Sequence, residues 1–192
     1  MPGSFLPTVD EAGGDLARHL ATAFRWRGDR VDDRLSADVT GWWRQPGLMG
    51  RLGPALAGLV AAERPTVVLG VESSGCLLGP LVALALGVGF IGVRKDPTPA
   101  CDSDRWSTAR TPPDYADRQW TLGFRRNLLD PADRAVLVDD WIATGSQADA
   151  TRRLVADAEA TWVGAAVIVD ALTSAGSRHR LGVRSLIHER EL

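Results

Sequence analysis

Two adjacent carboxylates, Asp139 and Asp140, stand at the end of an apolar run, Ala135-Val136-Leu137-Val138, and lead into Trp141-Ile142-Ala143-Thr144-Gly145-Ser146-Gln147. Four consecutive apolar residues are a buried-strand signal, and Ala148, Leu154, Val155 and Ala158 beyond the loop recur at roughly helical spacing. The stretch therefore reads as strand, acidic turn, small-residue loop, helix. Small residues let backbone approach a ligand closely. Free N–H groups at a helix start bind phosphate, helped by the helix dipole, and the Thr144 and Ser146 hydroxyls add donors. An ionised carboxylate only accepts hydrogen bonds, which suits sugar hydroxyls. Residues that grip a phosphate and a diol a few ångströms apart suit a 5-phosphorylated ribose.

Those residues need a scaffold, and the chain supplies a regular one. Val9–Phe24 reads as an amphipathic helix carrying Leu16, Leu20, Ala23 and Phe24 on one face. A polar turn at Arg25-Trp26-Arg27-Gly28 and a short segment to Trp42-Trp43 follow. A second helix runs from Gln45-Pro46-Gly47 to about Ala62, and Pro65 ends it. Thr66–Val71 is a buried strand of the parallel type. Glu72-Ser73-Ser74-Gly75 links it to a helix over Cys76–Leu86. Gly87–Val93 is the next strand and ends at Arg94-Lys95. Asp96–Asp117 holds four prolines and no apolar periodicity, which reads as a long loop; long loops in compact domains are usually functional. Gln119–Arg125 is a short strand, Trp162–Asp170 a buried one, Ala171–Leu181 a turn with a short helix, and Val183–His188 a last strand. Alternating strands and helices predict a single α/β domain over residues 1–192, with a mostly parallel, doubly wound sheet.

Composition narrows the function. The chain has 192 residues and a formal net charge of −2, which gives no electrostatic case for nucleic acid or a membrane surface. No apolar run approaches the roughly 18 residues of a membrane span, and residues 1–15 lack a signal-peptide pattern. Cys76 and Cys101 have neither metal-type nor redox-type spacing and read as reduced thiols of a cytoplasmic protein. His19, His179 and His188 share no ligand spacing. Lys95 is the only lysine among 22 basic residues, a hint of a specific role. Gly87-Val88-Gly89-Phe90-Ile91-Gly92 has the letters of a dinucleotide fingerprint, but its glycines lie before and within a strand instead of between strand and helix. Gly70–Gly75 is no P-loop, because Cys76 stands where lysine is required. Ser73 and Ser74 have no neighbouring His–Asp arrangement, so a serine nucleophile is not expected.

The run Val136–Gln147 resembles the PRPP-binding motif of type I phosphoribosyltransferases (PRPP is 5-phosphoribosyl 1-pyrophosphate), with Trp141 and Gln147 as departures. Glu72-Ser73-Ser74-Gly75 resembles the pyrophosphate loop of the adenine-type branch, an acid followed by Ser-Arg-Gly, with Ser74 at the arginine position. Arg94-Lys95 falls where the family carries basic residues, and residues 96–117 fall where it carries a mobile lid, with Asp114 and Tyr115 where it often has an acid and a tyrosine. The four landmarks come in the family's order.

The resemblance implies displacement of pyrophosphate from PRPP by a ring nitrogen of a purine-like, adenine-type base. It implies Asp139 and Asp140 on the ribose diol and, directly or through water, on Mg²⁺. Ala143, Thr144, Gly145, Ser146 and Gln147 would hold the 5-phosphate, and Glu72, Ser73, Ser74, Gly75, Arg94 and Lys95 the pyrophosphate. Residues 1–45 would form an N-terminal helix and hood over the base, with Trp26 and Arg27 as candidate contacts. Trp42 and Trp43 are hood candidates too, though core packing suits them better. A homodimer is expected. Two other readings keep the same site: a PRPP-sensing regulatory protein without turnover, and transfer to a specialised non-purine acceptor. A third makes the chain an assembly partner with a degenerate site.

Overall fold

The computed structural model describes residues 9–28, 35–113 and 118–192, with backbone alone for 9–13. Asp114 and Tyr115 lie outside the described residues. α1 (Val9–Ala23) leads into a two-stranded antiparallel ribbon, β1 (Arg25–Arg27) and β2 (Ser36–Asp38), in which Trp26 faces Ala37. Two helices follow, α2 (Thr40–Arg44) and α3 (Pro46–Val60). Then strands and helices alternate: β3 (Val67–Val71), α4 (Ser74–Leu86) and β4 (Gly89–Lys95) come first, and β5 (Trp106–Arg110) and β6 (Thr121–Arg125) form a hairpin. β7 (Arg134–Ile142), α5 (Ser146–Asp157), β8 (Thr161–Asp170), α6 (Ala175–Leu181) and β9 (Val183–His188) complete the chain.

The seven-stranded sheet has the order β5-β6-β4-β3-β7-β8-β9. The five strands from β4 to β9 are parallel, and β6 and β5 extend the β4 edge in antiparallel fashion. Every residue of β3 is buried, as are the last seven of β8, which explains their unbroken apolar runs: a parallel strand covered on both faces has no polar side to show. Leu48, Leu52, Leu56 and Val60 of α3 pack with α1, α4 and one sheet face. Ala148, Ala150, Leu154 and Val155 of α5 pack with the other. The sheet is thus wound on both faces, as the alternating pattern predicts.

The segment expected as a loop over 96–117 contains β5. Its residues, Trp106-Ser107-Thr108-Ala109-Arg110, are partly exposed at the sheet edge and carry no apolar run. Antiparallel pairing with β6 draws on backbone groups alone, so periodicity could not reveal it. α4 likewise starts at Ser74, two residues before the expected Cys76.

β3 is the pivot of the topology. From it the chain moves outward to β4 on one side, then returns to place β7 on the other. Ligands in such sheets bind outside the strand carboxyl ends where the order reverses. The loops after β3 and β7 meet at that point, and they are the two loops the sequence singles out.

Candidate active site

β7 delivers Asp139 and Asp140 to the sheet's carboxyl edge, and both are partly buried. The Asp140 amide donates to Asp139 Oδ1 at 3.0 Å. Desolvation raises the Asp139 carboxyl well above the usual carboxylate range; the Asp140 charge adds to this, and Lys95 opposes it. Asp139 is therefore a group that a cationic ligand would ionise.

The loop between β7 and α5 is tightly built. Gly145 takes φ 76° at the N-cap of α5, in the left-handed region that favours glycine. Thr144 Oγ1 lies 2.9 Å from Ser146 Oγ and accepts from the Ser146 amide at 3.3 Å. Thr144 is exposed, Ser146 is buried and Gln147 is half-buried. The Ser146 hydroxyl also donates to the Pro113 carbonyl at 3.1 Å, so the segment after β5 reaches the loop. No side chain of the N-cap residue caps α5, nor does one cap α4, whose N-cap is Ser73. Two helix starts with amides left by their N-caps thus flank the carboxylate pair.

At the β3 loop the Glu72–Ser73 peptide bond is cis. Gly75 folds back onto Gly70: a Cβ on Gly70 would stand 2.1 Å from the Gly75 carbonyl oxygen, so neither position tolerates a side chain. Ser73 is exposed and Ser74 half-buried. The Glu72 carboxylate is committed elsewhere: Oε1 pairs with Arg94 Nε, and Oε2 accepts from the Lys95 amide at 2.9 Å. Glu72 therefore ties the β3 loop to the end of β4, and it is the backbone of this loop that is left to face an anion. Lys95 Nζ lies 5.2 Å from the Trp120 ring centroid, and the Arg118 guanidinium 5.8 Å from it, a double cation–π arrangement at the root of β6.

The hood residues divide. Trp42 is fully buried, with Nε1 donating to the Leu20 carbonyl at 2.9 Å, and Trp43 packs edge-on against it. Trp42 belongs to the core, and Trp43, partly buried, packs against it. Trp26 is 39% exposed. Its ring meets Trp141 edge-on at 6.0 Å, and Trp141 stacks on Phe24 at 5.9 Å. Trp141 thus docks the end of α1 and the β1–β2 ribbon onto the strand end that carries the acids. Arg27 Nε pairs with Asp38 Oδ2 at 2.7 Å across the ribbon, and hydrogen bonds from Thr40 and Arg27 hold the Asp38 carboxyl at about 2. Arg27 therefore braces the hairpin. Sequence reasoning missed the Trp120 stack, the Trp141 contact and the Asp170–Arg178 pair described below; Trp141's odd size was the one available signal.

A mostly parallel sheet with twin carboxylates and two helix starts at its switch point is the architecture of a sugar-phosphate transferase. The phosphoribosyl transferase domain model matches residues 53–186, and the chain belongs to this family. An adenine phosphoribosyltransferase from a Synechococcus strain is 36% identical over 126 residues, 66% of this chain and 70% of that protein. Among solved structures, adenine phosphoribosyltransferase from Rhodothermus marinus superposes with a TM-score of 0.75 at 29% identity, covering 91% of this chain and 99% of that one. The Trypanosoma brucei enzyme in complex with AMP, pyrophosphate and ribose-5-phosphate gives 0.77 at 26% identity, covering 92% and 81%.

Proposed function

We propose that this phosphoribosyltransferase moves the 5-phosphoribosyl group of PRPP to adenine and releases pyrophosphate. The observation that carries the reading is the pairing of Asp139-Asp140 with the starts of α4 and α5 at the sheet's switch point. The α5 start, with the Thr144 and Ser146 hydroxyls and the backbone from Ala143 to Gln147, takes the 5-phosphate. Asp139 and Asp140 accept from the ribose hydroxyls. The backbone of Ser73–Gly75, with Arg94 and Lys95, takes the pyrophosphate; the Glu72 carboxylate orients that basic pair. Trp26 flanks the base. Such a site works by positioning and electrostatics, with no covalent intermediate needed. Residues 96–117 serve as the lid in this reading, and the Pro113 contact with Ser146 supports it.

Among the described residues no cluster of three or more potential ligands could cage a metal. Two adjacent carboxylates suit Mg²⁺, which keeps several waters and takes substrate oxygens with one or two acids. Asp139 and Asp140 would hold it, and it would supply neutralisation of pyrophosphate charge. The helix α4 supports a homodimer: it is apolar all round, yet Leu77 is 51% and Leu84 80% exposed, and such a helix belongs buried. A cytoplasmic setting fits the free thiols Cys76 and Cys101, and among the described residues no helix is long and apolar enough to cross a membrane.

The pairing of Glu72 with Arg94 favours a second reading, a PRPP-binding regulator without turnover, because it spends positive charge where pyrophosphate must leave. Incubation with PRPP, Mg²⁺ and adenine separates the two. Stoichiometric AMP and pyrophosphate support transfer; saturable PRPP binding without products supports the regulator.

A further inference from the structure

We infer that Arg178 is a positioning residue for the phosphate loop: through Asp170 and the Leu172 peptide it holds two leucines against Gly145, and so fixes the amides at the start of α5. The inference rests on the reading of that loop as the 5-phosphate cradle.

Gly145 leans on side chains from beyond β8. A Cβ added there would stand 3.0 Å from Leu181 Cδ1 and 3.4 Å from Leu172 Cδ2. Both leucines are buried. Leu172 is gripped at both ends of its own backbone. Its amide donates to Asp170 Oδ1 at 2.9 Å, and its carbonyl accepts from Arg178 Nη2 at 2.6 Å. The same guanidinium pairs with the same carboxylate, Nε to Oδ2 at 2.5 Å and Nη2 to Oδ1 at 3.3 Å. Asp170, Leu172 and Arg178 therefore close one ring of hydrogen bonds around the turn after β8. Leu181 lies on α6 with Arg178, so the ring also sets that helix against the loop. The end of β8 is tied to the end of β7 by the Ala171 amide, which donates to the Ile142 carbonyl at 2.9 Å, immediately before Ala143.

Asp170 is 5% exposed. Without Arg178 a buried carboxylate would lose its ionic partner and the Leu172 carbonyl its donor, and the turn would have reason to rearrange. A site that works by alignment is sensitive to such displacement in its supports. Asp170 and Arg178 act on the loop through Leu172, Leu181 and Gly145. Their effect should fall on the phosphate end of the substrate and spare the pyrophosphate end, which rests on α4 and β4.

The test titrates the full-length protein with ribose 5-phosphate and, separately, with pyrophosphate and Mg²⁺, by calorimetry. Arg178→Gln should weaken ribose 5-phosphate about tenfold, within the roughly hundredfold that remote misplacement can cost an aligned site, and leave pyrophosphate unchanged. Leu172→Ala, which keeps the ion pair, should give the same selective loss, and Arg178→Lys should recover part of it. A folded Arg178→Gln protein with wild-type ribose 5-phosphate affinity overturns the inference, and so does equal loss of both ligands. Should Arg178→Gln fail to fold, Leu172→Ala decides in the same terms. A wild-type protein that binds no ribose 5-phosphate overturns the cradle reading beneath it.

Discussion

At the residue scale, Asp139 is the group whose chemistry is most shaped by its surroundings. Burial and the adjacent Asp140 make its carboxyl hold a proton to higher pH than it would in the unfolded chain. The folded state therefore binds more protons than the unfolded state above the ordinary carboxylate value, about 3.9, and stability falls as pH rises through the elevated value. Asp38 and Asp104, both lowered to about 2, act in the opposite sense. Their gain is complete once the unfolded carboxylates have ionised, near pH 4 to 5, and does not mask the loss above it. Asp139→Asn should flatten that decline, as thermal melts across the acidic-to-neutral range would record. An unchanged slope would mean that Asp139 is not the buried acid. The twin acids and the small-residue loop were legible in the sequence because their types are chemically narrow. The commitments of Glu72 to Arg94 and of Arg27 to Asp38 were not, because partners 22 and 11 positions apart meet only through the fold.

At the scale of elements, the two helix starts were legible as strand-to-helix junctions, and the sheet order then brought them together. The hood was legible only as a cluster of aromatic residues. Core packing already suited Trp42 better than a hood contact in the sequence, and the structure buries it; Trp26, which the sequence left undecided, keeps an open face. The separation is testable. If Trp26 flanks the base as proposed, Trp26→Ala should raise the Michaelis constant for the base and leave that for PRPP unchanged, since a lost aromatic face costs about 0.5–1.5 kcal/mol beyond its area. Initial-rate kinetics with each substrate varied would read this, and equal effects on both constants would remove Trp26 from the base subsite. β5 shows the opposite limit, since an edge strand defined by its partner carries no periodic signature of its own.

At the scale of the whole molecule, the parallel sheet wound on both faces was legible from alternation alone, since buried central strands cannot disguise their apolar runs. The uncovered apolar face of α4 was not. The sequence of α4 reads as a buried helix, and only the structure shows Leu77 and Leu84 uncovered. If a second copy covers them, Leu84→Glu should shift the protein from dimer to monomer in sedimentation experiments and leave its circular dichroism unchanged. A wild-type monomer would leave that face without its proposed occupant. The termini of β3 and β7 hold the remaining logic: one topological reversal sets two helix starts beside a pair of acids, and every proposed role depends on that meeting point.

The most direct test of that meeting point is calorimetric titration of PRPP with Mg²⁺ into the wild-type protein and into Asp140→Asn. The wild type should bind one PRPP per chain, and the variant should lose about a hundredfold in affinity or in turnover, the scale of removing one electrostatic contact worth about 2.7–4 kcal/mol. Absence of saturable binding in the wild type, or wild-type affinity and turnover in the variant, would contradict the seating of a ribose phosphate between these acids and the start of α5.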